Sequence, residues 1–128
     1  MYSNETNELL EIVRLMAERN KIGGELAYGK QKQLELAISL AADPTLLMLD
    51  EPTAGMSPSE TTDSIQLIND IANLRSLTLL FTEHDMKVVF GIADQITVLH
   101  HGEILASGSP DEVRTDREVQ RVYLGGEQ

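Results

Sequence analysis

At 128 residues, 41% hydrophobic and 24% charged, the chain has the composition of one small folded domain rather than a disordered segment. Its formal net charge of −11 argues against a nucleic-acid partner, which would need Lys and Arg to displace phosphate counterions. Cysteine is absent, so disulfides and thiolate metal sites are excluded and a reducing compartment is compatible. The apolar runs at Leu46 to Leu49 and Leu77 to Phe81 fall far short of the ~20 helical residues that span a bilayer. From Tyr2 to Glu8 the chain is polar and acidic, with no secretory signal visible.

Leu9, Ile12, Val13 and Met16 recur at helical spacing and predict an amphipathic helix over 5–20, stopped by Gly23 and Gly24. A second helix is expected from Gly29 through Leu34, Ala37, Ile38 and Ala41, ended by Asp43-Pro44. Thr45 to Leu49 is apolar on both strand faces, the pattern of a strand buried in a parallel sheet. Ser57, Pro58 and Glu60 supply an N-cap, a first-turn proline and a capping-box carboxylate for a helix through Ile65, Ile68 and Ile71. Leu77 to Thr82 repeats the buried-strand pattern, so strand, helix and strand predict a right-handed parallel crossover and an α/β fold. A short helix over 87–93 and a hairpin of strands 95–99 and 103–106, turning at His101-Gly102, follow. Ser109, Pro110 and Glu112 repeat the capping pattern before C-terminal helices that reach Tyr123 and Leu124.

The first strand ends in Asp50 and Glu51, at the carboxyl edge of the sheet where α/β proteins place ligands. In a nucleoside triphosphatase the first carboxylate can hold Mg²⁺ through water, and the second can activate the water that attacks the γ-phosphate. A solvated turn is the alternative reading of the pair. The second strand leads into Thr82, Glu83, His84 and Asp85. There His84 either donates to a γ-phosphate or simply enters a helix capped by Asp85. Around Gly29, before the second helix, backbone N–H groups can point at an anion without a Cβ in the way.

Gly24 to Gln31 nearly spells the phosphate loop G-x-x-x-x-G-K-S/T. Gln31 lacks the hydroxyl that ligates Mg²⁺, however, and no buried strand precedes Gly24. This reading is set aside, and no other segment carries such a loop. His100 and His101 read as solvated turn residues, and Met16, Met48 and Met86 as core filler.

Together these residues resemble the ABC ATPases. Leu26, Ala27, Tyr28, Gly29 and Lys30 look like their Leu-Ser-Gly-Gly-Gln signature, Leu46 to Glu51 like their Walker B strand, and His84 like their switch histidine. Pro52 to Met56 is similar to the segment leading into the D-loop. Leu-Ala-Tyr-Gly, Thr-Ala-Gly-Met, Glu-His-Asp-Met and Val-Tyr-Leu-Gly are features of the branched-chain amino-acid importer branch; lipopolysaccharide-export ATPases share the terminal Tyr-Leu-Gly. Three positions depart from the pattern. Ala27 stands for the signature serine, Lys30 for its glutamine, and Ser57 for the D-loop aspartate, so no D-loop role is carried onto Ser57.

The resemblance implies a partial P-loop NTPase core, mainly a parallel sheet with flanking helices, entered before its Walker B half. Residues 1–43 would end the helical subdomain, with the signature loop and the helix after it. Residues 44–128 would form the C-terminal part of the RecA-like core. It further implies ATP and Mg²⁺ as cofactors, with Asp50 on the metal, Glu51 as general base and His84 at the γ-phosphate. Leu26 to Lys30 would touch the ATP of a second ATPase subunit. Transmembrane permease subunits would hold the protein at the cytoplasmic face of the membrane. Lacking a phosphate loop, the chain alone is expected to be inactive, and the strand Leu77 to Phe81, without the neighbour the family has beside it, is expected to make the chain self-associate; a nucleotide-free interaction fragment is the rival reading.

Overall fold

The computed structural model describes residues 3–125 and divides at Thr82 into two compact units. In the first, α1 (Ser3–Ile12) and a 3₁₀ turn (Met16–Glu18) replace the single helix expected over 5–20. Arg14 adopts a left-handed backbone, φ 65°, and closes α1 early. The Leu15 N–H donates to the Leu10 carbonyl at 2.7 Å and the Arg14 N–H to the Glu11 carbonyl at 3.0 Å. This pair of bonds is a Schellman stop. It was hidden in the sequence because glycine, not arginine, usually holds that position. Burial explains the break: Leu10, Val13 and Leu15 all reach the core, which a straight helix could not arrange.

A further 3₁₀ turn (Gly23–Glu25) leads into α2 (Tyr28–Leu40), which buries Leu36, Ala37 and Leu40. The expected strands and crossover helix follow as β1 (Leu46–Asp50), α3 (Pro58–Arg75) and β2 (Thr78–Thr82). β1 and β2 pair in parallel, Leu46 opposite Thr78 through Asp50 opposite Thr82. Helix α3 opens on the full capping box, with the Glu60 N–H donating to Ser57 Oγ at 3.2 Å and the Ser57 N–H to Glu60 Oε1 at 3.0 Å. It buries Leu67, Ile68 and Ile71 on one stripe.

The strands depart from expectation in burial. Leu47 is buried, but Leu46, Met48 and Leu80 on the opposite face are 49%, 68% and 59% exposed. An all-apolar strand is covered on both faces only where layers pack on both, and the described residues of this unit leave one face open. Each strand also has one edge without a strand neighbour among the described residues.

The second unit begins with α4 (Met86–Ile92), capped by Asp85, whose side chain accepts the Lys87 N–H at 3.0 Å. The hairpin of β3 (Ile96–His100) and β4 (Glu103–Gly108) forms as expected. His101 and Gly102 both have positive φ, 51° and 78°, as a two-residue type I′ turn requires. Helices α5 (Pro110–Arg114) and α6 (Arg117–Tyr123) close the unit over a core of Val89, Ile96, Val113 and Val119. Among the described residues no helix is long and apolar enough to cross a membrane.

Candidate functional site

Parallel, in-register pairing places the C-terminal ends of β1 and β2 side by side. Asp50 lies opposite Thr82, whose hydroxyl donates to Asp50 Oδ1. One residue on, the Glu51 N–H is held by the Thr82 carbonyl at 2.9 Å and by its hydroxyl at 3.1 Å. Glu51 sits at φ 46°, in the left-handed region. For a residue other than glycine this stores strain of order 1–3 kcal/mol, a cost that clusters at functional positions. Both carboxylates are exposed at the sheet edge. His84 lies two residues beyond Thr82, exposed in the bend that opens the second unit before Asp85 caps α4.

The residues expected at the signature surround the start of α2. Leu26 and Gly29 are half-buried, whereas Ala27, Tyr28 and Lys30 are exposed. Ala27 is the N-cap and supplies no side-chain bond. Gln31, considered in the sequence only for the hydroxyl it lacks, has a structural role: its side-chain amide donates to the Leu26 carbonyl at 3.0 Å. Lys30 pairs with Glu18, and that ammonium, as the main cause, holds the Glu18 carboxyl below the ordinary value.

This loop meets the segment that follows Glu51. Tyr28 donates its hydroxyl to the Ala54 carbonyl at 2.8 Å, and Gly55, at φ 79°, lies under the Tyr28 ring. A Cβ at Gly55 would only touch the Tyr28 ring, 3.4 Å from its oxygen, so it is the left-handed backbone that favours glycine there. Beside them, α2, β1 and α3 line an open pocket of about 250 Å³ that reaches from Lys32 and Glu35 to Asp50. Sequence patterning could not reveal these links, since they join side chains to backbone far along the chain.

Mg²⁺ prefers carboxylate oxygens, retains several waters and usually completes its shell with substrate phosphate. Among the described residues no group of three His, Cys, Asp or Glu could form a closed metal cage. An exposed Asp50 steadied by the Thr82 hydroxyl therefore fits a metal that arrives with a nucleotide.

The capping carboxylates respond to pH. Backbone donation from Ser57 is the main cause that holds the Glu60 carboxyl below its ordinary value of 4.5, and backbone donation from Ser109 does the same for Glu112. A depressed folded-state value contributes stability above the unfolded value and loses it as pH falls through the folded one. Urea midpoints are therefore expected to drop below about pH 4.5, and Glu60→Gln with Glu112→Gln, which leaves no carboxyl to titrate at either cap, should flatten that drop. An equal acid slope in the double variant would reject this assignment.

The fold is that of part of an ABC ATPase core. The profile described as "ABC transporter" matches residues 2–54, and that of the "Branched-chain amino acid ATP-binding cassette transporter" matches residues 103–128. Among solved structures, cbiO1 from Clostridium perfringens, part of an ABC transporter complex, superposes with a TM-score of 0.83 at 27% identity, over 93% of this chain and 47% of that one. The chain belongs to the ABC transporter ATP-binding family.

Within that family it is 45% identical over 116 residues to the high-affinity branched-chain amino acid transport ATP-binding protein LivG of Salmonella typhimurium, covering 91% of this chain and 46% of LivG. Similarity to the lipopolysaccharide export system ATP-binding protein LptB of Haemophilus influenzae is lower, 35% over 119 residues, covering 93% of this chain and 49% of LptB. The chain thus spans about half the length of the curated relatives it matches.

Proposed function

We propose that these residues form the signature-bearing, water-activating half of an ATPase subunit that powers branched-chain amino-acid uptake through permease subunits at the cytoplasmic face of the membrane. The observation that carries the reading is the strained Glu51 beside Asp50 at the end of a parallel strand, with Thr82 fixing both. Glu51 takes the proton of the attacking water, and His84 donates to the γ-phosphate. Asp50 holds Mg²⁺, which when bound neutralises phosphate charge. The loop Leu26 to Lys30 offers backbone N–H groups to the nucleotide of a second ATPase subunit. The identity to LivG exceeds that to LptB, which favours amino-acid uptake over lipopolysaccharide export.

For the 128 residues by themselves, the reading is a half-site. Asp50 and Glu51, with no phosphate-loop lysine to offset them, repel a triphosphate, because like charges at close range raise its binding free energy. The open strand edges and the exposed Leu46, Met48 and Leu80 favour pairing with a second copy. Calorimetry with Mg-ATP is expected to give no saturable micromolar binding to this chain, whereas a protein of the relatives' length carrying it binds and hydrolyses ATP. Light scattering on the isolated chain should give a mass that rises with concentration. Micromolar binding by the chain alone would overturn the half-site, and no turnover by the longer protein would overturn the ATPase.

A further inference from the structure

Helix α2 starts without a local cap: Ala27 has no side-chain oxygen, and the N–H of Gly29 belongs to the first-turn donors that have no partner within a helix. A carboxylate lies close by, at the start of another helix. Glu60, already the capping-box residue of α3, also sets its carboxylate against the backbone of Gly29. Its two oxygens divide the work. Oε1 takes the Ser57 N–H at 3.0 Å, while Oε2 lies so near Gly29 that a Cβ there would sit 2.5 Å from it and 3.3 Å from Cδ.

We propose that Glu60 is a positioning residue, one carboxylate that ties the loop Leu26 to Lys30 to the loop Glu51 to Ser57 by capping α2 and α3 together. The Tyr28 hydroxyl on the Ala54 carbonyl is the second strut of the same tie. On the phosphate-binding reading given above, an anion arriving at Gly29 competes with Glu60 for that N–H. Displacing Glu60 also loosens its hold on the Ser57 N–H, so occupancy of one loop is felt in the other. This also gives Gly29 a reason to be glycine that does not depend on nucleotide: any side chain would push the carboxylate away.

Amide hydrogen exchange on this chain tests the tie without nucleotide, so its outcome is independent of whether the ATPase reading holds. Glu60→Gln replaces a charge-assisted acceptor by a neutral one roughly half as strong. It should speed exchange at both Gly29 and Ser57 by about five- to tenfold while Ile68 and Ile71, inside α3, keep their protection. Ala27→Ser in the Glu60→Gln background supplies a local N-cap and should restore protection at Gly29 but not at Ser57. Gly29→Ala should speed exchange at Ser57 from the other side. The proposal is overturned if Glu60→Gln leaves Gly29 unchanged, or if every amide of α2 and α3 speeds up together, the mark of general destabilisation.

Discussion

Glu51→Gln, placed in a protein of the relatives' length, is expected to lower ATP turnover by about 10²–10⁴-fold while ATP still binds. The amide keeps the size and shape of the carboxylate but cannot take a proton from water. The variant should also keep its fold. The unusual backbone of Glu51, φ 46°, is held by two bonds from its N–H to Thr82, neither of which involves the side chain. Loss of rate with unchanged binding therefore separates a general base from a structural carboxylate. A single-turnover rate within a few-fold of the unsubstituted protein would show that Glu51 is not the base.

The second large effect concerns stability. Leu67 lies mid-way along α3 at 2% exposure, on the stripe that also buries Ile68 and Ile71. Truncating a leucine in such a place removes its transfer free energy and leaves a cavity, costing about 2–5 kcal/mol. Native domains have only about 5–15 kcal/mol to lose, so Leu67→Ala should unfold a large part of the population under mild urea. Leu74, on the same helix but 70% exposed, is the control, and Leu74→Ala should change stability by no more than about 0.5 kcal/mol. Similar urea midpoints for the two variants would mean that α3 does not pack as described.

The sequence carried the fold wherever local chemistry sufficed. Both Ser-Pro-x-Glu starts became capping boxes, the strand–helix–strand order became a parallel pair, and the His101-Gly102 turn closed the hairpin. It was misleading where a residue accepts a conformation outside its preference. Arg14 in the left-handed region ends α1, and no arginine announces that. Composition also misjudged burial: Leu46, Met48 and Leu80 are as apolar as core residues, yet they lie on the open face, because periodicity records a buried strand and not which layer covers it. Within the site, the carboxylates and their strand end were legible from pattern. The fastenings were not. The bonds of Thr82 to Asp50 and of Tyr28 to Ala54, and the close approach of Glu60 to Gly29, link residues far apart in the chain, and spacing encodes no such contact.

The half-site reading is tested most directly by the mass of the Glu51→Gln variant of the longer protein, measured by light scattering with and without Mg-ATP. If Leu26 to Lys30 completes the nucleotide site of a second subunit, unhydrolysed ATP will hold two subunits together. The measured mass should then double on addition of Mg-ATP, and Gly29→Asp, which sets a carboxylate against the phosphates, should abolish the doubling. A variant that saturates with ATP yet keeps the mass of one subunit would contradict the account.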